Sequence, residues 1–175
     1  MKATVFLKRS YSEIIALLVA LACGVYALTR GQDMNWDLLN YHLYNPYAFL
    51  NGRIETDLAP AGLQSYFSPM LDIIYFFAIS HLGPKTVGFL LGFLQGLNFL
   101  LVYKIAKLVL KQHDYRNTVA LFLALAALLT VGFLAEVGTA MHDSLVALFP
   151  LLSLWMVMST IQSLQEGKQR PAMDL

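Results

Sequence analysis

Two acids in this chain stand in short polar clusters of similar make-up. Asp37 lies in NWDLLNYH and Asp143 in TAMHDS, and each has a histidine close by, His42 and His142. A carboxylate near an acceptor hydroxyl can take its proton. A second carboxylate can hold a metal ion or the neighbourhood of a phosphate. Two acids facing one cleft can therefore divide the work of base and of metal or phosphate binder. Taken singly, each acid equally suits a helix cap, because Asp is a favoured N-cap residue and an apolar run follows each. A lone histidine at an interface likewise serves structure as readily as chemistry. Which reading applies depends on the elements that position these residues.

The chain has 175 residues, of which 58% are hydrophobic and 13% charged. Soluble domains are nearer half apolar and a quarter charged, so this composition is that of an integral membrane protein. The formal net charge of +1 supplies no field for nucleic acid. The single cysteine, Cys23, excludes an internal disulfide and a cysteine-rich metal site. Its setting, LVALACGVYAL, is only partly that of a lipoprotein cleavage site. Ala20 rather than Leu stands three residues before it, and the apolar run continues past it, so the segment reads as an uncleaved first span.

Four runs are long and apolar enough to be read as transmembrane helices, at 13–29, 86–103, 118–135 and 144–161. A fifth, 68–83, is shorter and contains Asp72, Ser80 and His81. A charge at mid-membrane costs about 2.5–3.5 kcal/mol on insertion scales, which makes this run a poor span. Sidedness favours the same reading. With 68–83 on the surface, Lys2, Lys8, Arg9, Lys104, Lys107, Lys111, Arg116, Lys168 and Arg170 lie inside, nine of the twelve basic residues. Arg30, Arg53 and Lys85 remain outside. If 68–83 crossed, the inner side would keep only Lys2, Lys8, Arg9 and Lys85. The positive-inside rule selects the first arrangement. Both termini are then cytoplasmic, the loops 30–85 and 136–143 face outward, and KIAKLVLKQHDYRN is the basic inner link. In a bacterium this is the inner membrane, with the outer loops in the periplasm. Asp33, Asp37, Glu55, Asp57, Asp72, Glu136 and Asp143 all fall on the outer side.

The first outer loop contains two expected surface helices. Over 37–51, Leu39, Leu43, Tyr47 and Leu50 form one apolar stripe, with Asp37 as N-cap, Gly52 as terminator and a kink at Pro46. Trp36, Tyr41, Tyr44 and Tyr47 suit the headgroup region, so this helix is expected to lie on the outer leaflet. The second covers 68–82, after the Pro-bracketed LAPAGLQSYFSP. Gly88, Gly92 and Gly96 recur four apart, a pattern that lets helices pack closely. The span interiors hold little that is polar beyond Gln95 and Asn98. The expected fold is an all-α integral membrane protein: about four transmembrane helices in a membrane domain of residues 1–161, interfacial juxtamembrane helices in the first outer loop, and a polar cytoplasmic tail at 162–175.

The order of these segments resembles the N-terminal part of the GT-C glycosyltransferases, membrane enzymes that take a sugar from a polyprenyl-phosphate carrier and include the aminoarabinose and protein O-mannosyl transferases. WDLLNYHLYNPYAFLNGR is similar to their first acid-bearing juxtamembrane helix, and APAGLQSYFSPMLDIIYFFAISHLG to their Pro-led surface helix. VYKIAKLVLKQHDYRN is similar to their basic turn, and VGTAMHDSLVALF to their second acid loop. Each motif is short and degenerate; their order and sidedness carry the likeness. The resemblance implies sugar transfer from a polyprenyl-phosphate donor to a glycan, lipid or protein acceptor on the outer face. It assigns Asp37 as general base and Asp143 as a second catalytic acid and metal ligand, with Mg2+ or Mn2+ as the divalent cation. His42, Tyr41, Arg53 and His142 are the neighbouring candidates for substrate binding; His42 and His142 have no secure family counterpart. Family members are several hundred residues long, and the later helices of the carrier pocket have no counterpart among these 175. The implied partners are therefore the bilayer, the donor and acceptor, and a subunit supplying further helices. The competing reading is a non-catalytic multi-spanning protein, an accessory subunit or a truncated remnant of such an enzyme.

Overall fold

The computed structural model describes residues 2–169, with side chains described for 13–167. Of the basic residues counted on the inner side, the side chains of Lys2, Lys8, Arg9, Lys168 and Arg170 lie outside the described ones. Every regular element among the described residues is helical. They are α1 (Lys2–Arg30), a π-helical turn (Leu38–His42), α2 (Tyr44–Leu50), a 3-10 turn (Gly62–Tyr66), α3 (Met70–Leu82), α4 (Pro84–Gly96), α5 (Asn98–Val109), α6 (Arg116–Leu128), α7 (Val131–Glu136), α8 (Asp143–Val146) and α9 (Leu148–Gln169).

Three helical stretches are long and apolar enough to cross a membrane: Glu13–Arg30, Pro84–Val109 and Asp143–Gly167. The run 118–135, read from the sequence as one span, is divided instead. α6 stops at Leu128, Thr130 is extended, and its hydroxyl accepts from the Phe133 amide at 3.3 Å, which starts α7 as a new helix. At 1.5 Å per residue the 13 residues of α6 cover about 20 Å, less than the roughly 30 Å of a hydrocarbon core. α3 is also 13 residues long. α9 carries the helix through Gln169, into the stretch read as a polar tail, and 170–175 lie outside the described residues.

α1 and α4 cross at close range because small residues line the contact. A Cβ added at Gly96 would lie 2.7 Å from the Ala20 Cα, and one at Gly92 would lie 2.8 Å from the Cys23 carbonyl oxygen and 2.9 Å from the Ala27 Cβ. The glycines four apart are therefore packing positions, as their spacing suggests. α1, α5 and α6 enclose a core around Ala16, Phe99, Ala124 and Leu128. A second core, of Leu38, Tyr75, Val87 and Ala140, joins the two long loops to α3 and α4.

The two ends of the bundle differ in chemistry. Arg30 donates to the carbonyls of Leu134 and Ala135, at 2.5 and 2.8 Å, which brings the end of α1 to the end of α7. The loops 31–69 and 137–142 meet at this end. At the other, Lys104 sits 4.5 Å over the Trp155 ring and Lys111 pairs with Glu166 at 2.7 Å.

The glycine contact is testable. Gly96→Val should destabilise the chain by about 1–3 kcal/mol, as overpacking does. Gly132→Val, where an added Cβ meets nothing within 4 Å, should cost less. Thermal unfolding in detergent checks both, and equal losses would contradict the packing account.

Candidate functional site

The segment after α1 is shaped by its capping groups. Asp33 accepts from the backbone and side-chain amides of Asn35, and the Asn35 Oδ1 accepts from the Leu38 amide at 2.7 Å. Asn35 is thus the side-chain cap, where the sequence suggested Asp37. The chain is already helical at Trp36 and Asp37, which frees the Asp37 carboxylate from capping. The helix then widens: the Leu43 amide reaches back five residues to the Leu38 carbonyl at 3.2 Å. Pro46 accounts for this, since its ring would clash with the carbonyl of residue 42 in a continuous α-helix and it has no N–H to return. The irregularity falls at His42 and Leu43, just before the proline. α2 ends as expected at Gly52, whose φ is +64°. The Arg53 amide bonds the Ala48 carbonyl at 2.8 Å and the Gly52 amide the Phe49 carbonyl at 3.3 Å, the paired bonds of a Schellman ending.

The widened turn delivers His42 to a buried carboxylate that the sequence reading left out of the site. Asp72, in the first turn of α3, is only 5% exposed, and its Oδ1 lies 2.7 Å from the His42 Nδ1. The His142 Nδ1 stands 3.5 Å from the same oxygen. The two imidazoles are edge to face, with centroids 5.2 Å apart. One potential ligand atom from each of His42, Asp72 and His142 falls within 4.8 Å of the others. An ionised carboxylate only accepts, so the short contact assigns the proton of a neutral His42 to Nδ1. The opposite nitrogen, Nε2, is buried and has no hydrogen-bond partner.

Tyr41 and the two sequence-singled acids adjoin this core. Tyr41 lies beside Asp37, and its ring stacks obliquely on His42 with centroids 4.3 Å apart. Burial pushes the Tyr41 hydroxyl up from its ordinary pKa, and the charge and hydrogen bond of Asp37 push the same way, as do the charges of Asp72 and Asp143. Burial holds the His142 imidazole below its ordinary pKa and outweighs the opposing pull of Asp72. Asp143 is exposed and Asp37 half-buried. The structure thus gathers Asp37, Tyr41, His42, His142 and Asp143 at one end of the bundle. Arg53 is engaged elsewhere: its guanidinium makes two 2.8 Å bonds to Asp57, whose carboxyl it holds below the usual range with help from Tyr44.

His142 and Asp143 are placed by polar side chains from within the α4–α5 stretch. Gln95 is fully buried. Its Oε1 accepts from the Gly138 amide at 2.8 Å and its Nε2 donates to the Glu136 carbonyl. Asn98 donates to the Ser144 carbonyl at 2.6 Å. The Glu136 carboxylate accepts from both the amide and the hydroxyl of Ser144, capping α8 from outside, so Asp143 is not needed as its cap. Asp33 accepts from the Ala140 amide at 2.7 Å and ties the loops 31–69 and 137–142 together. For the cluster the sequence displayed one legible signal: Asp72, an acid within a largely apolar run.

An apolar groove of about 230 Å³, lined by Leu71, Ile74, Tyr75, Leu90, Leu94 and Leu145, reaches His142. The family resemblance implies Mg2+ or Mn2+ at Asp143, and those ions take oxygen donors. Asp143 is exposed beside a histidine, and the closest set of donors, two imidazoles with one carboxylate, is richer in nitrogen than a Mg2+ site. The molecule is an all-helical chain with three helices suited to crossing a membrane and a histidine–aspartate cluster at one end. No protein-family model, curated protein or solved structure matches it.

The role given to Gln95 is testable. Gln95→Leu leaves the Gly138 amide and the Glu136 carbonyl without their side-chain partner and should cost about 1–3 kcal/mol. It should also raise hydrogen exchange at Gly138 selectively. Unchanged exchange there would contradict the assignment.

Proposed function

We propose that this chain forms the outer-face site of a membrane glycosyltransferase, or its N-terminal module, which moves a sugar from a polyprenyl-phosphate carrier to an acceptor hydroxyl. The observation that carries the reading is the pairing of an apolar groove with an adjoining polar cluster. The groove over α3 and α4 suits an isoprenoid chain, and His142, which precedes Asp143 in the chain, lines it. A lipid carrier has the same two-part character. The order of acid helix, Pro-led helix, basic turn and second acid loop supports the family in particular.

The topology that goes with this reading has four crossings, with α6 and α7 together as the third. Both termini are cytoplasmic and the cluster faces outward. No residue of α9 in that stretch is fully buried, so much of its apolar surface is then available to lipid or to further helices completing the carrier pocket.

A phosphate-linked sugar has an activated leaving group, so no strong general acid is needed. Asp37 takes the acceptor proton: it is half-buried, uncommitted to capping and beside Tyr41. Asp143, exposed at the mouth, serves the donor phosphate. Because Asp37, Asp72 and Asp143 all repel an anion, a divalent cation when bound supplies the positive charge the phosphate needs.

Asp37→Asn should abolish sugar transfer, by about 10²-fold or more, the scale of general-base loss, while the chain inserts normally. Transfer of a radiolabelled sugar from polyprenyl phosphate in proteoliposomes measures this. Wild-type rates in the variant would remove Asp37 as base.

A further inference from the structure

We propose that His42, Asp72 and His142 form a binding site for one divalent transition-metal ion of the Zn2+ class. The site stands apart from the sugar-transfer reading: it uses Asp72, which that reading does not need, and it favours nitrogen-binding metals.

Three observations converge on it. The first is spacing. Metal bonds to histidine and carboxylate donors are about 2.0–2.2 Å, so donors sharing an ion lie roughly 3–3.5 Å apart. The Asp72 Oδ1 lies 2.7 and 3.5 Å from the two Nδ1 atoms, and one ligand atom from each residue falls within 4.8 Å of the others. The second is the unpartnered nitrogen. His42 has a side chain nine-tenths buried, and its Nε2 has no hydrogen-bond partner. The proton that the His42 Nδ1 shares with Asp72 is the one a cation replaces, so that this nitrogen and the carboxylate ligate together. The third is construction. The three residues come from the π-helical turn, from α3 and from the 137–142 loop, and each is held by its own supports. Pro46 sets the turn that carries His42, while Gln95, Asp33 and Glu136 fix the loop that carries His142.

Asp72 carries one negative charge for two imidazoles, and a cation is the partner that both rings and the carboxylate share. Two imidazoles and one carboxylate select Zn2+, Fe2+ or Co2+ over Mg2+. Three protein ligands leave a position open, as at sites that bind a water or a ligand and unlike closed structural sites. Tyr41, stacked on His42, and the exposed Asp143, which follows His142, adjoin the cluster.

The test uses the full chain in detergent, carried on a tag without histidine and stripped by chelator. Titration with Co2+ should load one equivalent and raise visible d–d absorption. Zn2+ should displace it, and a large excess of Mg2+ should not. His142→Ala and Asp72→Asn should each weaken Co2+ binding by about 10–100-fold or more. Circular dichroism and gel filtration identify any variant that fails to fold. Asp143→Asn should bind within about threefold of wild type. Two results would overturn the proposal: no saturable Co2+ binding by the folded wild-type chain, or binding lost in Asp143→Asn and kept in His142→Ala. Absence of sugar transfer in a chain that still binds Co2+ would count against the transferase reading alone.

Discussion

A carboxylate taken out of water must be paired or it destabilises the fold, and Asp72 is such a carboxylate. It sits on α3 with 5% of its surface exposed, and both groups that face it are histidines from outside that helix. The arrangement of the outer end follows from this constraint. The π-helical turn has to bring His42 inward, and the 137–142 loop has to bring His142 to the same oxygen. Removing either ring leaves a buried charge half-satisfied, which makes the three residues one unit.

Beneath that unit lies a rigid base. α1 and α4 approach so closely at Gly92 and Gly96 that no larger side chain fits without movement. The contact fixes where both helices end, and the two outer loops leave from those ends. Gly138, with φ of +79°, lies against Ala27 and carries the second loop over the top of α1. Buried Gln95 then bonds the Gly138 amide and the Glu136 carbonyl, so the loop is held by backbone hydrogen bonds as well as by shape. In a nonpolar setting such bonds leave few alternatives, because water is absent to replace them.

Much of this was legible in the residues, and the exceptions have physical causes. The apolar runs and the glycine spacing announce helices that pack closely, and Gly52 announces the end of α2. The cap of the first outer helix was misjudged by two residues, because Asn35 and Asp37 are both good caps and only the tie from Asp33 to Asn35 decides between them. The run 118–135 has uniform hydropathy, so hydropathy passes over the break that the Thr130 hydroxyl makes. The pairing of His42 with His142 and Asp72 joins residues 30 and 70 positions from Asp72, a relation that no local pattern encodes. The polar residues Gln95 and Asn98 looked incidental in the span because their partners lie in a loop more than 40 residues away.

The proposed carrier has a long apolar tail and a phosphate head, and the apolar groove is lined at one place by His142 of the cluster. The most direct measurement is photolabelling of the membrane-embedded chain with a polyprenyl phosphate that carries a diazirine beside the phosphate, followed by peptide mapping. The account predicts label in residues 34–53 and 136–149, competed away by unlabelled polyprenyl phosphate and not by neutral polyprenol. Label confined to 104–116 at the opposite end, or label that neutral polyprenol competes equally well, would contradict it.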